Sequence, residues 1–162
     1  MTVSDLATTA RLITYQAQYA TDFAALNFEW IETFFAVEEE DRRALGDPQG
    51  YAIDPGGEIF FVLEDDLVVG TVAMVPKSRE PLVFELAKMA VRPDKRGQGY
   101  SNLLMQACID FARSKQASEI MLVTNDSLAP ALGLFTSAGF EPVPQYSDAR
   151  YERGNLEMRL SL

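Results

Sequence analysis

The stretch Glu85-Leu-Ala-Lys-Met-Ala-Val-Arg-Pro-Asp-Lys-Arg-Gly-Gln-Gly-Tyr-Ser-Asn-Leu-Leu104 decides the fold. It reads as the end of a strand, a basic glycine turn and the start of a helix. The apolar run Leu82–Val91 carries Val and Phe and suits a buried strand. Pro93 disfavours helix at Arg92 and closes that strand. Gly97 and Gly99 allow a tight turn and a close backbone approach to a ligand. The following helix would present free N–H groups and the positive end of its dipole, which together make an anion site. Arg92, Lys95 and Arg96 crowd into this turn although the chain carries a net charge of −10. A polyphosphate ligand would account for that local basic spot.

Two phosphate-binding patterns fit poorly. A P-loop needs Gly-Lys-Ser/Thr, and here Gly99 is followed by Tyr100. A dinucleotide fingerprint needs a third glycine or alanine where Asn102 stands, so a nucleotide-binding module is the weaker alternative. The pattern Val91-x-Pro93-x-x-Arg96-Gly97-x-Gly99-x-Ser101, followed by an amphipathic helix, resembles the acyl-CoA motif of the GNAT superfamily of N-acetyltransferases. In that family Arg/Gln-x-x-Gly-x-Gly/Ala wraps the CoA pyrophosphate with backbone amides. Ser101 is a small variant in the last place.

The 162 residues suffice for one domain with a core, taken here as 1–162. Apolar residues at 48% and charged residues at 23% are ordinary for a globular protein. No apolar run is long enough to span a membrane, and no signal peptide is evident. A single cysteine, Cys108, fits a reducing compartment and a cytoplasmic location. It lies in an apolar stripe and reads as core filling. The acidic balance argues against nucleic-acid binding. Histidine is absent, which removes His triads and most zinc sites, and no metal is expected.

In chain order, Ala10–Gln16 suits a first strand and Gln18 to Val37 a helix, with Tyr19, Phe23, Leu26, Trp30, Phe34 and Val37 as its stripe. The aromatics form a core face or line a cleft. Glu38-Glu39-Glu40-Asp41 opens a short helix ending at Gly46 and reads as a solvated face, or as a field for a cationic amine. Glu58–Glu64, Leu67–Val75 and Leu82–Val91 form an antiparallel meander, with Gly70 marking a bulge and Pro76–Pro81 a connection. A helix from the glycine turn leads to the strand Glu119–Thr124, parallel to Leu82–Val91. Asp126 or Ser127 caps a helix that ends at Gly139. Phe140–Gln145 and Asn155–Leu160 close the chain as strands, joined by a loop with Tyr146 and Tyr151. The order β-α-α-β-β-β-α-β-α-β-β is the GNAT order.

The resemblance implies an α/β (α+β) fold with a mixed sheet of six to seven strands and about four helices. The sheet is mostly antiparallel, with one parallel pair splayed to admit pantetheine. It implies acetyl-CoA as co-substrate, contacted by Met89, Ala90, Val91, Arg96, Gly97, Gln98, Gly99, Tyr100, Ser101, Asn125 and Phe135. The implied reaction moves an acetyl group to a primary amine of a small molecule, such as an amino acid or polyamine. A peptide or protein acceptor, and a non-catalytic acyl-CoA-binding regulator, are the alternatives. A monomer or homodimer is expected, with no nucleic-acid or membrane partner.

Without histidine a carboxylate is the natural base, and Glu85 is the only acid inside Leu82–Val91. Strict alternation puts it on the face of Val83, Ala87, Met89 and Val91. Its alternatives are a rim carboxylate paired with a cation and a group that only binds ammonium. A backbone N–H near Met89–Ala90 would serve as oxyanion donor. Many family members place a Tyr general acid where Phe135 stands here. The general acid is therefore unassigned, with Tyr100, Tyr146 and Tyr151 as substitutes.

Overall fold

The computed structural model describes residues 10–144 and 152–162. Seven strands form one sheet in the order β1-β2-β3-β4-β5-β7-β6. They are β1 Ala10–Thr14, β2 Glu58–Glu64, β3 Leu67–Arg79, β4 Leu82–Val91, β5 Glu119–Thr124, β6 Glu141–Pro142 and β7 Leu156–Ser161. Four α-helices flank it: α1 Ala20–Phe34, α2 Glu39–Gly46, α3 Tyr100–Ser114 and α4 Ala129–Ala138. None of these is long and apolar enough to cross a membrane. Among the described residues only β4 and β5 run parallel, as a helical crossover requires. The expected element order and mixed sheet are present.

Each face of the sheet buries its own cluster. On one side Phe23, Leu26 and Ile31 of α1 pack with Phe61, Ala73 and Ala90. On the other, α3 and α4 pack Leu104, Cys108, Ala112 and Phe135 against Val72, Met74, Phe84 and Leu86. Cys108 is fully buried and burial raises its thiol pKa, in keeping with a filling role.

Several boundaries differ from the sequence reading. β3 runs on to Arg79, because Pro76 and Ser78 still pair with Phe84 and Val83 across a bulge. Helix α1 buries Ile31 at 2% exposure and leaves Phe34 at 47%, so its stripe turns away from the expected one near its end. Leu128, not Asp126 or Ser127, precedes α4, and Asn125 instead accepts the Ser127 N–H at 2.9 Å. The strand expected over Phe140–Gln145 is only Glu141–Pro142 among the described residues, and Tyr146 and Tyr151 lie outside them.

The largest correction concerns the acidic run. Glu39 and Glu40 do form the solvated face, paired with Arg42 and Arg43. Asp41, however, is 0% exposed. It receives Lys88 Nζ at 2.8 Å and both Arg153 terminal nitrogens at 2.6 and 2.7 Å. Glu38 accepts Arg153 Nη1 at 3.0 Å and the Glu152 N–H at 2.9 Å. The cluster therefore joins α2, β4 and the segment before β7. Burial alone would raise the Asp41 pKa, but the Arg153 hydrogen bonds and Lys88 outweigh it and hold the carboxyl at about 2.

Two results follow for Asp41. Because its pKa lies below the unfolded value, its contribution is complete above about pH 4 and is lost as pH falls towards about 2, on the order of 2 kcal/mol. Asp41→Asn removes the buried carboxylate that Lys88 and Arg153 share and should cost about 3–5 kcal/mol in a denaturant titration at neutral pH. The variant should also lack that acid-limb dependence.

Candidate functional site

β4 and β5 pair over only three rungs, Val83 with Glu119, Phe84 with Ile120 and Glu85 with Met121. Beyond Glu85 the strands part, each retained by its outer neighbour, β3 or β7. The gap widens into a cleft of about 370 Å³ lined by Glu85–Val91 on one side and Leu122–Asn125 on the other.

A second irregularity sets which side chains enter it. Thr71 pairs with Ala90 but Ala73 pairs with Ala87, so β4 carries one extra residue between them. Lys88 sits there with φ of 56°, in the left-handed region a lysine seldom adopts. The bulge reverses the alternation. Glu85, Ala87 and Ala90 share the α1 face with their partners Val75, Ala73 and Thr71, whereas Val91 packs towards α3. The expectation that Glu85 shares a face with Met89 and Val91 is thus corrected.

Arg96, Gly97 and Ser101 stand at one end of the cleft. Gly97 and Gly99 have φ of 80° and 85°, which side-chain-bearing residues adopt only at a cost, and a Cβ on either would meet nothing. Their outer sides are open to a ligand, and Gly99 directly precedes α3. The three cations of this turn are each held by a carboxylate. Arg92 bonds Asp94, Lys95 bonds Glu64 at 2.7 Å, and Arg96 reaches Glu29 at 3.4 Å. The basic spot read from the sequence is therefore largely balanced locally, and the open backbone of the turn is what remains for an anion. Arg96 also gives its Nε to the Val91 carbonyl at 3.1 Å and lies 5.9 Å from the Phe34 ring centre.

The Arg92 N–H bonds the Val69 carbonyl of β3. Strand alternation then turns the Val91 backbone towards the cleft, with its carbonyl already taken by Arg96 and its N–H facing the gap.

Of the residues expected to form the site, Glu85, Met89, Ala90, Val91, Arg96, Gly97, Ser101, Asn125 and Phe135 line this one cleft. Gln98, Gly99 and Tyr100 belong to the turn but not to the lining. The Tyr100 hydroxyl donates to Glu64, which raises its pKa to about 12 and removes it as an acid for the cleft. Asn125 ties the end of β5 to the Arg153 carbonyl at 2.8 Å. Phe135 is buried beside Phe140 and has no proton to give. Glu85 is 6% exposed.

Trp30 and Phe35 line the cleft, in keeping with one of the two readings of the first helix's aromatics, and Asn27, Lys88 and Arg153 line it too without having been read from the sequence as site residues. Asn27 carried a usable signal, since it is a polar residue one position past Leu26 on the buried stripe of α1. Lys88 and Arg153 carried none, because their common partner Asp41 lies 47 and 112 residues away.

The family described as acetyltransferase (GNAT) matches residues 17–140. N-acetyltransferase 8B of Homo sapiens is 34% identical over 93 residues, covering 55% of this chain and 41% of that protein. The chain therefore spans less than half the length of that relative. An uncharacterized N-acetyltransferase of Schizosaccharomyces pombe is 30% identical over 136 residues, 77% of this chain and 78% of the relative. A GNAT-family acetyltransferase structure from Staphylococcus aureus superposes with a TM-score of 0.83 at 16% identity, over 94% of this chain and 99% of the other. A Salmonella typhimurium protein solved with its cofactor acetyl-CoA gives 0.73 at 16% identity, over 95% and 94%. The last two likenesses concern the fold. With its splayed parallel pair and glycine turn inside the matched region, the chain belongs to the acetyltransferase (GNAT) family.

Proposed function

We propose that the chain transfers an acetyl group from acetyl-CoA to the primary amine of a small molecule in a ternary complex. The observation that carries this is the cleft through the sheet, open to the glycine turn at one end and holding Glu85 on the α1 face. The fit to acetyl-CoA rests on two features. The open, left-handed glycine turn ahead of α3 would receive the pyrophosphate. The edge of β4 beyond Glu85, at Met89 and Val91, has no neighbouring strand among the described residues and would pair with the pantetheine arm. Bound acetyl-CoA supplies an activated thioester, whose carbonyl carbon gains the acceptor nitrogen while its C–S bond breaks to release a thiolate.

Glu85 takes the ammonium proton, directly or through one water, so that the nitrogen lone pair becomes available. A backbone N–H at Met89, on the open edge of β4, stabilises negative charge on the carbonyl oxygen; that of Ala90 faces β3. Phe135 leaves the thiolate without the family's usual donor. A thiol with a reference pKa of about 8.5 can leave and take its proton from solvent, at a slower rate. The proposal includes a cytoplasmic setting.

Phe135 also favours one other reading, an acyl-CoA-binding regulator without catalysis, which predicts binding without amine-dependent CoA release.

Calorimetric titration should show saturable acetyl-CoA binding, with NAD and ATP as non-binding controls. Gly99→Val should weaken that binding at least tenfold by forcing the left-handed turn open. Glu85→Gln should lower turnover at least tenfold with acetyl-CoA affinity within a few-fold of the parent. Unchanged turnover in that variant would remove Glu85 as the base.

A further inference from the structure

The cleft has two unlike halves, because the Lys88 bulge separates the faces of β4. On the α3 and α4 side its lining includes Ser101, Pro130, Ala131 and Phe135, next to the glycine turn. On the α1 side it includes Asn27, Trp30, Ile31, Phe35 and Glu85. An acceptor would enter this second half, since Glu85 shares the face packed against α1.

Asn27 is 2% exposed. Its Nδ2 donates to the Phe23 carbonyl one turn back, at 3.0 Å. Among the described residues, its side-chain oxygen has no hydrogen-bond donor. A buried amide oxygen left in this state costs free energy unless a ligand or water supplies an N–H or O–H. Asn27 thus holds an unmet amide oxygen in the half of the cleft that Glu85 also lines, and an ammonium N–H there would satisfy it beside the Glu85 side chain.

The rest of this half selects the substituent. Trp30 and Phe35, their ring centres 6.0 Å apart, are half-buried, and Ile31 is buried beside them. A second ammonium, as in a polyamine, would give up water for the cation–π attraction of these rings alone, because among the described residues the lining holds no carboxylate besides Glu85 to pair with it. An α-carboxylate, as in an amino acid, would look for a cation on this side. Lys88 and Arg153 are committed to Asp41 and Glu38. An aryl or branched alkyl group would bury area on the rings without either cost.

We infer that the acceptor is a monoamine with an apolar, ring-sized substituent, its ammonium held by the Asn27 side-chain oxygen and Glu85 and its substituent set against Trp30 and Phe35. This rests on the amine acetyltransferase reading above, and it identifies Asn27 as a specificity-determining residue.

The test measures binding apart from turnover. The protein is saturated with CoA and titrated calorimetrically with 2-phenylethylamine, ethylamine, putrescine and phenylalanine. The expected order has 2-phenylethylamine tightest, at least tenfold ahead of each of the others. Asn27→Leu keeps the helix position and side-chain size. It should weaken 2-phenylethylamine at least tenfold while CoA affinity stays within twofold. Phe35→Ser, at a half-buried site, should erase most of the preference over ethylamine, and a thermal melt checks that both variants fold. Equal binding of all four probes, tighter putrescine or phenylalanine, or no amine binding overturns the inference. Ring-selective binding without acetylation would uphold the acceptor site and overturn the catalytic reading instead.

Discussion

One buried carboxylate holds the working parts together. Asp41 is the shared partner of Lys88 and Arg153, and Glu38 at the start of the same helix takes the other bond of Arg153. Asp41 lies between the two cations and offsets much of the cost of holding their charge in so closed a place. The pairing with Lys88 has a geometric consequence. Lys88 is the left-handed residue of the β4 bulge, and that conformation costs on the order of 1–2 kcal/mol for a residue with a Cβ. A 2.8 Å bond from its ammonium to Asp41 helps offset that cost. The bulge in turn puts Glu85 on one face and Val91 on the other.

The splay of β4 and β5 then gives the bulge its use. Each strand keeps a complete antiparallel partner on its outer side, so the parting sacrifices only parallel rungs between them. The exposed inner edges carry backbone groups that a compact sheet would have paired. A parted pair inside a seven-stranded sheet is an opening from one layer of helices to the other. On the proposed reading, two substrates would approach through such an opening from opposite faces and meet beside β4.

Much of this was legible in the letters. β2, β4 and β5 occupy the spans expected, because Gly57, Asp65-Asp66, Pro81 and Pro93 punctuate apolar runs strongly. The left-handed glycines were visible for the same reason. The bulge was not, because a lysine inside an alternating strand looks like any outward residue, and only the register shows the extra position. Asp41 was read as part of a solvated run, which holds for Glu39 and Glu40. Its burial depends on partners far along the chain, a long-range fact that local charge patterning does not carry. Asn27 stood midway, since a polar residue on an apolar stripe is visible locally, but its unmet oxygen is not.

The charge of the turn completes the physical picture. An acidic protein that gathered three unpaired cations around a phosphate site would bind many anions through long-range attraction. Here Arg92, Lys95 and Arg96 each have a carboxylate, and Lys95 draws the Glu64 pKa down in return. Recognition then passes to the fixed backbone of the turn ahead of α3. Backbone donors cannot swing away or be neutralised, so on the proposed reading they would read the shape of a pyrophosphate in addition to its charge. Arg96 is the exception in kind. It is tied to the Val91 carbonyl, to Glu29 and to the ring of Phe34, and so joins the phosphate turn to the strand edge and to α1. A ligand that drew Arg96 towards its phosphates would loosen the Glu29 contact on the C-terminal half of α1. On the proposed reading, occupancy of the turn would bear on the acceptor half through the Arg96–Glu29 contact.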